Sequence, residues 1–148
     1  MSLETQINED IKQAMLNRQK DVLESLRAIK SALLLLKTGK DGGEISEAVE
    51  LAMLQKLVKQ RKESAEIYKQ QNRDDLANDE LFQASIIEKY LPKQLGKEEI
   101  EAELKSIIGE VGASSPKDMG RVMGVASKRL AGKADNRVIS DIVKSLLA

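Results

Sequence analysis

The run VLESLRAIKSALLLL, residues 22–36, decides the fold. Its residues Val22, Leu26, Ile29, Leu33 and Leu36 step by four, three, four and three, the spacing of one face of an α-helix. A seam of that kind packs along a neighbouring helix. Upstream, Leu3, Ile7, Ile11, Ala14 and Met15 share a face of a first helix expected from Leu3 to Arg18. Downstream, TGKDGG (38–43) is too flexible to continue a helix, and Ser46 offers its hydroxyl as the N-cap of the next. That third helix is expected from Glu47 to Gln71, with Leu51, Leu54, Val58, Ala65 and Tyr68 on one stripe. Arg61 falls inside the stripe, at about 280° from Leu51 on a helical wheel, so one charge faces inward. It fits an ion pair with a glutamate of another helix, or an anchor for a ligand.

Residues 72–75 interrupt or merely bend the chain before a fourth helix from Asp74 to Tyr90, whose apolar positions (Leu76, Leu81, Phe82, Ile86, Ile87) are less regular. Leu91-Pro92 removes a backbone donor and disfavours helix just before it, and Gly96 follows, which marks a boundary between parts. Three shorter helices come next. Ile100, Leu104, Ile107, Ile108 and Val111 line the first, with Gly109 and Gly112 turning the chain out of it. Ser115-Pro116-Lys117-Asp118 is a strong start for the second: Ser as cap, Pro in first position, a carboxylate in third. The last begins near Asp135 and carries Val138, Ile139, Ile142, Val143, Leu146 and Leu147. No alternation of strand type occurs. The expected fold is all-α: a four-helix N-terminal part (1–91) followed by a small three-helix C-terminal bundle (92–148).

The composition excludes several functions. Lys plus Arg and Asp plus Glu both total 24 of 148 residues, so any electrostatic footprint is local. Cysteine and histidine are both absent, which removes thiolate nucleophiles, zinc–thiolate sites and the commonest general base and metal ligand. Tyr68, Tyr90 and Phe82 are the only aromatics, too few for a base-stacking platform. No Gly-rich phosphate loop or metal-ligand spacing occurs, so no cofactor and no catalytic residue are expected. No window approaches the roughly 18 apolar residues of a membrane span. The opening MSLETQINED has neither the basic nor the apolar region of a signal peptide, and a cytoplasmic monomer is expected.

The local footprint lies near the C-terminus. On a helix from Pro116 to Leu130, Lys117, Arg121, Gly124 and Lys128 fall within a wedge of roughly 60°, opposite Met119, Val122, Met123, Ala126 and Leu130. Arg129, Lys133 and Arg137 extend it, and residues 117–144 hold seven cations against three anions. The stripe reads either as a solvated face or as a phosphate-contacting surface. Gly120 and Gly124 mark close helix packing or close approach of a ligand to the backbone. Asp118 and Asp135 read as N-caps.

Finally, VKQRKESAEIYKQQNRDDLA (58–77), YLPKQL (90–95), KDMGRVM (117–123) and GKADNRVI (132–139) occur in an order and spacing that resembles the GatB/YqeY family over nearly the whole length. The C-terminal part is similar to the tail domain of the B subunit of the glutamine-dependent tRNA amidotransferase. The resemblance implies tRNA holding without chemistry: the amidase Ser-Ser-Lys set and the transamidation domain have no counterpart here, and a carbon–nitrogen ligase label would be inherited from the shared tail. It implies that Lys117, Gly120 and Arg121 face RNA, with Gly132, Lys133 and Arg137 beside them. Asn136 stands where the family often has glycine. The expected function is a non-catalytic, tRNA-binding accessory protein acting through Lys117, Gly120, Arg121, Gly124, Lys128, Arg129, Lys133 and Arg137. The alternative is a helical adaptor that docks on an amidotransferase, an aminoacyl-tRNA synthetase or another translation component, favoured if the fourth helix exposes apolar residues.

Overall fold

Residues 22–36 lie within a single helix, and the same periodicity is realised throughout a computed structural model that describes residues 2–39 and 45–148. Seven α-helices follow one another among the described residues: α1 (Leu3–Leu16), α2 (Lys20–Lys37), α3 (Glu47–Gln70), α4 (Asp74–Glu88), α5 (Lys97–Val111), α6 (Met119–Arg129) and α7 (Asn136–Leu147), with a 3₁₀ turn over Pro116–Asp118. The fold is all-α, with no strand among the described residues. The chain divides into two compact units, Met1–Leu91 and Pro92–Ala148.

In the first unit α3 packs along α4, α1 along α2, and α2 against α4. Ile7, Leu26, Ile29, Leu33, Leu54, Val58, Ile86 and Ile87 form its core, with Met53, Phe82 and Tyr90 packed around them. Ser25 is the one buried polar side chain among the described residues, and its hydroxyl donates to the Asp21 carbonyl at 3.1 Å. Ser46 caps α3, its Oγ accepting from the Val49 amide at 3.2 Å. Thr38 ends α2 by donating to the Leu34 carbonyl; the rest of the expected loop, residues 40–43, lies outside the described residues.

The helix ends explain two departures from expectation. Arg18, read as the last residue of the first helix, has φ 54° and lies beyond it. The Gln19 amide donates to the Ala14 carbonyl and the Arg18 amide to that of Met15, a left-handed stop of the Schellman type. Asn72 has φ 59° and repeats the device, with the Arg73 amide on the Tyr68 carbonyl, so residues 71–73 interrupt the chain rather than bend it. In the second unit Gly112, φ 67°, closes α5 the same way.

Arg61 is half-buried, as its wheel position requires, but its partner is not a glutamate. Its Nε donates to the Gln83 side-chain oxygen at 3.0 Å and its guanidinium to the Leu57 carbonyl at 3.1 Å. The glutamate that approaches from α4, Glu88, is held by Lys62 at 2.7 Å. A neutral amide is a less costly neighbour for a partly buried guanidinium than a second desolvated charge.

Candidate nucleic-acid interface

The three helices of the second unit enclose Ile100, Leu104, Ile107, Val122, Ala126, Leu130, Ile139, Val143 and Leu147. That burial fixes the rotation of α6: Val122 and Ala126 point inward, so Gly120, Arg121, Gly124, Lys128 and Arg129 point out. With Val111 and Val125 these five line an open groove of about 730 Å³. A Cβ added at Gly120 or Gly124 meets no heavy atom within 4 Å. Close helix packing is thereby excluded as the reason for these glycines, and they leave the α6 backbone open to whatever enters the groove.

Lys117 is not among the residues that line this groove. Pro116–Asp118 is a 3₁₀ turn with three residues per turn, so the α-helical phase assumed from Pro116 onward begins only at Met119. The turn comes from a capping box: the Asp118 carboxylate accepts from the Ser114 amide at 3.0 Å and the Ser115 amide at 3.4 Å. Those amides, with the Arg121 guanidinium, hold the Asp118 carboxyl below its usual range. Asp135 caps α7 by accepting from the Arg137 amide at 2.8 Å.

Two of the expected RNA-facing arginines are already engaged. Arg121 donates to Asp118 at 2.7 Å and to the Val111 carbonyl at 3.2 Å, so it also satisfies the C-terminal end of α5. Arg129 makes a two-pronged pair with Glu110, whose carboxyl is held low by that contact. Lys117, Lys128, Lys133 and Arg137 are exposed, and no ion pair among the described residues engages their side chains. Gly132 does not face solvent: it is buried, with φ 74°, and its carbonyl accepts from the Gln94 side-chain Nε2 at 2.6 Å. Its place is structural. Glu110 and Val111 are absent from the sequence reading of the site, because only the packing of α5 against α6 brings them there; Val125, on α6 itself, is absent because it lies to one side of the basic wedge.

Among the described residues no group of three or more His, Cys, Asp and Glu side chains is placed to hold a metal ion. No helix there is long and apolar enough to cross a membrane.

Two known proteins are similar to this chain, both named altered inheritance of mitochondria protein 41, mitochondrial. That of Clavispora lusitaniae is 32% identical over 142 residues, covering 93% of this chain and 82% of the relative. That of Meyerozyma guilliermondii is 41% identical over 86 residues, covering 57% of this chain and 44% of the relative, so the match spans less than half of that protein. Both are mitochondrial by name, which overturns the cytoplasmic assignment. That assignment rested on the missing signal-peptide pattern, which bears on secretion and does not choose among the compartments inside a cell. The Yqey-like protein family matches residues 4–147, and the chain belongs to that family.

Proposed function

We propose that this chain is a non-catalytic accessory protein that holds tRNA by its phosphates through the α5–α6 face, without reading base sequence. The observation that carries the reading is the groove floored by Gly120 and Gly124, where open backbone is bordered by Arg121, Lys128 and Arg129. A solvated face needs cations but has no use for two exposed helical glycines, each of which costs about 1 kcal/mol of helix propensity. Lys117, Lys133 and Arg137 would add phosphate contacts on either side. The division of labour would follow the two units, with residues 92–148 on the RNA and residues 1–91 docking the protein, as a monomer, on an amidotransferase or synthetase complex. The names of the relatives would make the setting mitochondrial.

A second reading, the adaptor without RNA, was to rest on exposed apolar residues of α4. Instead Ile86 and Ile87 are buried, and Leu76, Leu81 and Phe82 are partly buried. Its support shifts to α2, where Leu34 is 49% and Leu35 73% exposed.

The test is binding of the full chain to total tRNA across a salt series. Each neutralised phosphate contributes about 0.7 to 0.9 to the slope of log affinity against log salt. A slope of a few units, flattened in Lys117→Glu/Lys128→Glu with an unchanged melt, supports tRNA holding. No binding at low salt puts the adaptor in front. Arg121→Glu is the wrong reversal, because it sets a carboxylate against Asp118 and the end of α5.

A further inference from the structure

We propose that Glu110 is an intramolecular stand-in for an RNA phosphate, holding Arg129 occupied until a polyanion displaces it; the inference rests on the tRNA reading of the same groove. Glu110 leaves the last turn of α5 and meets Arg129, at the end of α6, with both carboxylate oxygens on both terminal guanidinium nitrogens. That fork is the geometry in which arginine binds phosphate. The side chains are 48% and 45% exposed, so the pair is bathed in solvent and gives way readily to a competitor. Glu110 also sits at the negative end of a helix, where a carboxylate opposes the helix dipole and has no capping role.

Arg121 provides the contrast within the same groove. Its guanidinium is shared between Asp118 and the Val111 carbonyl, and Asp118 in turn caps the 3₁₀ turn. Removing that pair would cost local structure, whereas the Arg129–Glu110 pair supports no backbone group: its neighbours are the Ser106 side chain beside Glu110 and the Glu103 carboxylate near Arg129. While the pair is closed, the groove presents Lys128 as its unengaged cation, and a lone phosphate gains little by entering. A ligand carrying many phosphates in a row contacts Lys128 and neighbouring cations first, and so gains enough to take Arg129 from Glu110. The pair thereby favours long polyanions over free phosphate and mononucleotides.

Full-length chain is titrated with total tRNA across a salt series, as wild type, Glu110→Gln, Arg129→Gln and the double variant, with a circular dichroism melt of each. Glu110→Gln is expected to bind about three- to tenfold tighter at low salt, the size of one unit-charge interaction across a few ångströms of partly screened surface. Its salt slope steepens by about 0.7 to 0.9, one more phosphate. Arg129→Gln in the same background abolishes the gain. Equal or weaker binding by Glu110→Gln overturns the inference, and so does a gain that survives loss of Arg129. Failure of the underlying reading looks different: none of the four proteins binds tRNA at low salt, and the stand-in role falls with it.

Discussion

A methyl group placed on Gly124 meets no atom within 4 Å, and the residue sits inside α6. Gly124→Ala is therefore expected to stabilise the C-terminal unit by about 1 kcal/mol through helix propensity alone. If a phosphate approaches the α6 backbone there, the same substitution lowers tRNA affinity; a higher melting temperature with weaker binding separates the groove from the fold. Arg61 asks the opposite question. With Gln83 and the Leu57 carbonyl as its partners, Arg61→Met is expected to cost about 1 to 3 kcal/mol, the scale of hydrogen bonds to a charged group, and below that of a broken buried ion pair. Denaturant melts decide it. Glu50 carries a pH signature: burial first, then neighbouring Glu47, raises its carboxyl above the usual value. Its ionisation thus opposes folding above that raised value, and the cost fades as pH falls toward the unfolded range. Glu50→Gln should raise the melting temperature at neutral pH and lose its advantage near pH 4. The inward position of Arg61 was legible from spacing; its partner was not, since that depends on how α4 is rotated against α3.

Helix termini mark how far local sequence reaches. Where glycine or proline punctuates the chain, at Gly112 and before Pro116, the ends were legible, because those residues carry their own backbone preferences; Gly109, read as part of the same turn, lies inside α5 instead. The stop at Arg18 was not, since arginine gives no sign of a left-handed conformation. Such a residue costs about 1 to 2 kcal/mol without glycine's freedom, so Arg18→Gly is expected to raise the melting temperature of the first unit. A fall would mean that the Arg18 side chain contributes more than its backbone costs. Asp118 works at the same scale. Its carboxyl is held below the usual range chiefly by the Ser114 amide and next by Arg121. The stabilisation is present above the ordinary carboxylate range and lost as pH falls through the lowered value. Asp118→Asn should lower stability at neutral pH and flatten its acid limb. The cap itself could be read from Ser115-Pro116-Lys117-Asp118; the 3₁₀ turn that moves Lys117 out of phase could not, because a capping box is compatible with either kind of first turn.

Over the whole molecule the charges cancel, yet residues 117–144 keep four cations in excess, so the electrostatics are those of a segment. Each unit also has its own core, Ile7 to Ile87 in one and Ile100 to Leu147 in the other. Ile107→Ala, at a fully buried site, is expected to cost about 2 to 5 kcal/mol. In a unit of this size that is enough to unfold it, leaving the helicity of α1–α4 in place while tRNA binding disappears. The all-α class could be read from periodicity, but the separation of α3 from α4 could not, since it depends on the left-handed turn at Asn72. Nor could the pairing of Arg129 with Glu110, since it joins α6 to α5.

The Gln94 side-chain amide donates to the carbonyls of Pro92 and Gly132, and the Leu95 amide donates to that of Lys133 at 3.0 Å. The short peptide ahead of α5 is thus woven into the α6–α7 turn. Limited trypsin digestion should accordingly cut after Lys89 sooner than after Lys93, and an excised C-terminal fragment that begins at Gly96 should be less protease-resistant than one that begins at Pro92.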